Sequence, residues 1–147
     1  MADQPHSHSL RMGRHTQAGQ IYLLTTVTAG RQPVFADFKA ARVLIRCLQR
    51  SEQLKQADTL AFVVMPDHLH WLMQLGSGMA LSTCIGSVKS ISARQLGLPV
   101  WQKGFHDHAV RKEEDLPALA RYVVANPVRA GLVKRVGQYP HWDAIWL

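Results

Sequence analysis

Val63-Val64-Met65-Pro66-Asp67-His68-Leu69-His70-Trp71-Leu72-Met73 sets two apolar runs against each other across a Pro-Asp pair. So short a connection between β-prone runs makes an antiparallel hairpin. Its strands are expected over 59–65 and 68–75, ended by Gly76-Ser-Gly78. Side chains alternate faces along a strand. His68 and His70 therefore share one face, and Leu69 and Trp71 the other. Two imidazoles on one strand face, beside a turn, can grip one divalent cation. The same pattern also fits two ordinary hydrogen-bonded strand residues. Asp67 is read as the turn residue rather than a ligand.

Upstream of the hairpin, residues 21–28 are rich in β-branched and aromatic side chains and predict a first strand. Gly30-Arg-Gln-Pro33 is a turn, and Asp37 is placed to cap a helix. Phe38, Ala41, Ile45 and Leu48 recur at helical spacing, so that helix runs to about Lys55. Downstream, Leu81, Ile85, Val88 and Ile91 predict a second helix to about Leu96. Ser87, Lys89, Ser90, Ser92 and Arg94 lie on its polar side. Hydroxyls mixed with cations suit phosphate contacts, and equally an ordinary solvated face.

Residues 100–111 read as a fourth strand interrupted at Gly104. It carries another alternating pair, His106-Asp-His108, expected at a sheet edge and able to contact a phosphate. Glu113-Glu-Asp115 is expected to put acids into the first turn of a third helix, with Leu116, Leu119, Ala120 and Val123 as its apolar stripe. Tyr122 falls on the flank of that stripe, half-buried with its hydroxyl free, and Asn126 follows on the same side. Pro127 disfavours helical geometry at Asn126. Asn126 is thus a candidate cap for a short further turn, with Pro127 first and Gly131 after its end. The order β-α-β-β-α-β plus a helix is an α+β, ferredoxin-like split βαβ arrangement. One sheet face would be covered by helices and the other left open to a ligand.

At 147 residues the chain fits one domain. Its net charge of +7 and pI near 9.9 favour a polyanionic partner, nucleic acid foremost. No apolar run approaches the ~20 residues a bilayer span needs, and the first twenty residues lack the apolar core of a secretory signal. Cys47 and Cys84 have no paired spacing and read as buried free thiols in a reducing, cytoplasmic setting. Residues 1–19, with Arg11 and Arg14, read as a basic arm for phosphates. His6-Ser-His8, in that polar arm, has no rigid geometry for a metal.

Several strings together resemble the single-tyrosine transposases of the His-hydrophobic-His superfamily, specifically the REP-associated branch related to the insertion-sequence-200 enzymes. They are Arg11-Met-Gly-Arg14 before the first strand, Met65-Pro-Asp-His-Leu-His70, and Val88-Lys-Ser90. To these add Trp101-Gln-Lys-Gly-Phe-His-Asp-His108 and Tyr122-Val-Val-Ala-Asn-Pro-Val-Arg-Ala-Gly-Leu-Val133. The resemblance implies that Tyr122 attacks a phosphodiester of single-stranded DNA, giving a 5′-phosphotyrosine and a free 3′-hydroxyl. It implies Mg²⁺ or Mn²⁺ held by His68 and His70, with Asn126 at the third position. Arg11, Arg14, Lys89, Ser90, Arg94, Lys103, His108 and Arg111 are the residues expected on DNA. A hairpin-bearing single strand is the expected partner, without membrane or organic cofactor, and the chain is a monomer or homodimer. Residues 20–135 would form the catalytic domain and 136–147 an aromatic tail docked on it.

Two other functions use the same features. A basic ferredoxin-like module could hold single-stranded nucleic acid without cutting it. A hydrolytic phosphodiesterase could use His68, His70, His106 and His108 around two ions and release free ends.

Overall fold

The computed structural model describes residues 19–146. Five strands form one antiparallel sheet: β1 Ile21–Val27, β2 Ala57–Met65, β3 His68–Leu75, β4 His106–Ala109 and β5 Trp142–Ala144. Their order is β4-β1-β3-β2-β5, so the hairpin strand β3 lies at the centre, bonded on both sides. The first four strands, with α1 Phe38–Gln53 and α2 Leu81–Leu96, make the ferredoxin-like split βαβ frame. Two short helices follow, α3 Leu116–Val124 and α4 Asn126–Arg129.

Three helix ends have a clear local cause. Asp37 caps α1 by accepting from the Ala40 N–H at 2.9 Å. Gly97 closes α2 at φ 72°, a left-handed geometry that glycine adopts without steric cost. Asp115 caps α3 by accepting from the Ala118 N–H at 3.1 Å. The acids expected inside its first turn therefore precede it, and Glu114 turns instead toward His108 and Arg111.

One sheet face packs on α1 and α2. Leu69, Trp71 and Met73 of β3 enter that core with Leu44, Ile45 and Ile85 of the helices. Trp71 is fully buried, and its indole N–H donates to Thr59 Oγ1 at 2.9 Å. Cys47 and Cys84 are both free and buried in this layer. Two side chains depart from the helical pattern read in the sequence. Phe38 stays 59% exposed and lies against His141 of the tail, at 5.2 Å between rings. Ser92, expected on the wet face of α2, is fully buried. It accepts from the Trp101 indole N–H and donates to Val88 O.

The opposite face is not left wholly open. Ala120, Val123 and Val124 of α3 cluster with Ala61, Val63 and Met65 of β2 and Leu72 of β3. The fourth strand is also shorter than the alternation suggested. Only His106–Ala109 pairs with β1, while Trp101 makes an isolated bridge to Thr28. Between them the Lys89 ammonium donates to the carbonyls of Gln102 and Gly104, both at 2.8 Å. The segment thus adds a side-chain partner to the backbone bonds it keeps, Gln102 N–H to Val27 O at 3.0 Å and Ala29 N–H to Val100 O at 2.9 Å. At the other edge, β5 pairs with β2, and the Tyr139 hydroxyl donates to Val64 O at 2.6 Å. The added strand was not anticipated from its three residues.

Candidate active site

His68 and His70 emerge from β3 on the face toward α3. Their cross-strand neighbours are Val27 and Thr25 of β1 and Met65 and Val63 of β2. The two rings lie edge to face, 4.8 Å apart. Each uses its Nδ1 within the protein. His68 Nδ1 lies 2.7 Å from Asp67 Oδ1, and His70 Nδ1 lies 2.8 Å from Thr25 Oγ1. Neither Nε2 makes a hydrogen bond among the described residues. Burial, reinforced by the nearby His68 and Arg129, pushes His70 down to about 4. It is therefore neutral at pH 7, the state in which imidazole binds metal. Burial alone would raise Asp67, but the hydrogen bond and charge of His68, with Arg31 alongside, hold it below the usual carboxylate range.

Helix α3 brings Tyr122 to the same side of the sheet. While Val123 and Val124 anchor the helix, Tyr122 is 57% exposed, and its hydroxyl makes no hydrogen bond among the described residues. The Arg129 guanidinium sits 4.0 Å above the Tyr122 ring centroid. Arg129 also lies within electrostatic reach of His70.

Asn126 is the first residue of α4 and not its cap as the sequence suggested; the cap position is Ala125, because Asn126 takes up helical geometry despite Pro127. Its amide nitrogen donates back to Val123 O at 3.1 Å. That leaves its carbonyl oxygen without a hydrogen bond among the described residues, so the amide keeps the atom a metal would use.

Two imidazoles with Nδ1 occupied and Nε2 uncommitted suit a divalent cation. Among the described residues no three His, Cys, Asp or Glu side chains gather as a metal site. A cation here would need its third protein donor from another class, and the Asn126 oxygen fits by chemistry. His106 falls in the same cross-strand row as Thr25 and His70. At ~4.8 Å per strand its backbone stands about 10 Å from that of His70, with Thr25 between them.

The residues expected on DNA scatter over the β4 side. Arg11 and Arg14 lie outside the described residues. Ser90, Arg94 and Lys103 are exposed, whereas Lys89 is spent on the loop carbonyls. His108 and Arg111 both face Glu114, with His108 Nε2 2.9 Å from its carboxylate. A groove of about 950 Å³ opens between α2 and the 99–106 segment. Ser90, Trp101, Lys103, Phe105 and His106 line it, and it reaches Thr25 at its sheet end. Sequence reading passed over Thr25, Arg31 and Arg129. Thr25 could have been found by laying β1 against β3; Arg129, seven residues after Tyr122, by following the helix two turns further.

Fold and site together define a class: a split βαβ domain whose central strand carries paired imidazoles below a tyrosine-bearing helix. The family described as IS200-like transposase matches residues 16–126, and the chain belongs to that family. It is similar to a REP-associated tyrosine transposase of Escherichia coli, 34% identical over 82 residues, 54% of this chain and 50% of that one. A Haemophilus influenzae protein given the same name provisionally is 30% identical over 100 residues, 57% of each chain. The chain thus spans little more than half the length of these curated relatives. A solved REP-associated tyrosine transposase bound to a REP hairpin superposes with a TM-score of 0.77 at 25% identity, covering 88% of this chain and 79% of that one. A structure assigned provisionally as a transposase from Deinococcus radiodurans shares the fold, with a TM-score of 0.55 at 21% identity, covering 78% and 95%. Among the described residues no helix is long and apolar enough to cross a membrane.

Proposed function

We propose that this chain cleaves and rejoins single-stranded DNA beside hairpin-forming repetitive palindromic elements, through a 5′-phosphotyrosine on Tyr122. The observation that carries this reading is Arg129, which covers the Tyr122 ring at 4.0 Å and also acts on His70. It supports reading Tyr122 and His70 as parts of one site within one subunit. The similar structure bound to a REP hairpin supports the choice of DNA.

The Tyr122 oxygen attacks the scissile phosphorus, forming a P–O bond as the P–O3′ bond breaks. The phenolic proton leaves to solvent, and the departing 3′-oxygen takes one up. The phosphodiester's energy is kept in the adduct, so the free 3′-hydroxyl can reverse the step without ATP. Arg129 stands where it can offset negative charge developing at the phosphate. His68, His70 and Asn126 would hold Mg²⁺ or Mn²⁺, which supplies polarisation of a phosphoryl oxygen and orientation of the scissile bond. Exposed Ser90, Arg94 and Lys103 would take flanking phosphates.

The test is a labelled oligonucleotide containing a REP-like hairpin with single-stranded flanks. With Mn²⁺, a protein–DNA adduct resistant to denaturation is expected, absent with EDTA and absent in Tyr122→Phe. An adduct of normal yield in Tyr122→Phe would overturn the assignment. Salt-sensitive binding indifferent to EDTA, with no adduct at all, would point to a binding module instead.

A further inference from the structure

The loop between β1 and α1 is bolted to the hairpin turn that precedes His68. The Thr28 N–H donates to Asp67 O at 2.9 Å, and the Phe35 N–H donates to Pro66 O at 2.9 Å. The Thr28 hydroxyl, fully buried, donates to Gln32 O at 2.7 Å. Within this loop Arg31 has φ 54°, the left-handed region that costs a non-glycine residue. From there its Nε reaches Asp67 Oδ2 at 3.1 Å, while Asp67 Oδ1 holds His68 Nδ1. The backbone thus keeps an arginine in a conformation glycine would fill more comfortably, at the place where its guanidinium meets the acid.

The Asp67 contact decides more than ring orientation. An ionised carboxylate only accepts hydrogen bonds. In the neutral His68 ring the atom 2.7 Å away must then be Nδ1–H, which leaves the lone pair on Nε2. A Nε2–H tautomer would set two lone pairs against each other. Thr25 is less strict toward His70, because a hydroxyl can donate or accept; it fixes the ring plane from the neighbouring strand.

We propose that Arg31 and Asp67 are positioning residues. Through them His68 is locked as the Nδ1–H tautomer, with its bare Nε2 turned to the side His70 shares. Thr25 holds His70 in a matching orientation. The consequence for metal binding rests on the reading of His68 and His70 as ligands; the tautomer itself does not.

Two measurements on the whole chain separate these levels. In metal-free protein, nitrogen-15 NMR of the imidazoles should show His68 as Nδ1–H, and Asp67→Asn should admit the other tautomer, because an amide can also donate. A Nε2–H His68 in the wild type, or an unchanged tautomer in Asp67→Asn, would overturn the proposal. Mn²⁺ titration is the second measurement. His70→Ala should abolish binding; if the wild type binds no Mn²⁺, the ligand reading falls while the NMR result still judges the lock. Given binding, Asp67→Asn should weaken it about tenfold, as loss of such outer contacts does elsewhere. Arg31→Gly relaxes the backbone, so its thermal stability should hold or rise while Mn²⁺ affinity falls about threefold or more. Unchanged affinity in both variants would reject the positioning role and leave the ligands standing.

Discussion

Two stretches of this chain, His68-Leu-His70 and His106-Asp-His108, repeat one pattern and meet different fates. The first pair lies on the central strand, with hydrogen-bonded neighbours on both sides. Its outer contacts fall on Nδ1, from Asp67 and Thr25. The second pair lies on the four-residue edge strand β4. There His108 is half-exposed, with its Nε2 turned to Glu114, and His106 faces the groove. Alternation puts both members of each pair on one face. Only the central pair also has neighbours that immobilise the rings and leave matching nitrogens unused. A metal site needs that second layer as much as the ligands.

Breaking the pairs one at a time gives the largest expected contrast. His70→Ala should cut adduct formation by about a hundredfold or more. His106→Ala and His108→Ala should weaken DNA binding only a few-fold, measured by adduct yield and by oligonucleotide affinity side by side. The reverse ranking, with Tyr122→Phe still active, would hand the chemistry to a hydrolytic site on β4.

The support under each pair differs in the same direction. Trp71 backs the central strand from the buried face, and Trp71→Ala should cost about 3–5 kcal/mol in denaturant unfolding. Glu114→Gln, which removes the charged partner of exposed His108, should cost less than about 1 kcal/mol. Comparable losses would mean that the edge strand is held as firmly as the centre.

Acid should sharpen the contrast further in metal-free protein. His70 titrates at about 4 in the fold against ~6.5 in an unfolded chain. Between those values the unfolded state binds a proton that the folded ring refuses. Stability therefore rises with pH across that window, is fully present above it, and is lost as pH falls through it. Buried His141, lowered by burial and then by Arg42, acts in the same sense. His70→Gln should flatten the unfolding profile between about pH 4 and 6.5. A last effect concerns Tyr122. Arg129→Gln should lower adduct yield about tenfold by removing the cation over the Tyr122 ring, with Mn²⁺ affinity kept within about threefold.

Much of the frame was legible because its signals are local. The turn at Pro66-Asp67, the cap at Asp37, the stop at Gly97 and the apolar spacing of α2 each act within a few residues. Where the reading slipped, a distant partner intervened. Phe38 fits the apolar stripe of α1, yet His141 of the tail gives it another surface. Ser92 reads as wet until the Trp101 indole arrives to bond it. The fourth strand reads as continuous, yet in its first half Lys89, on a helix, takes the carbonyls of Gln102 and Gly104. None of these pairs lies within a single helix or strand, so periodicity along an element does not reveal them.

From the order of residues alone came the central hairpin, the phase that places His68 and His70 on one face, and the helix that carries Tyr122. Periodicity and turn chemistry are properties of neighbours, so they survive without a tertiary structure. Sheet order, the choice of Thr25 beside His70, the reach of Arg31 to Asp67 and the seat of Arg129 over Tyr122 were decided only by folding. Each joins groups brought together across strands or elements, and such contacts are set by register and packing across the sheet.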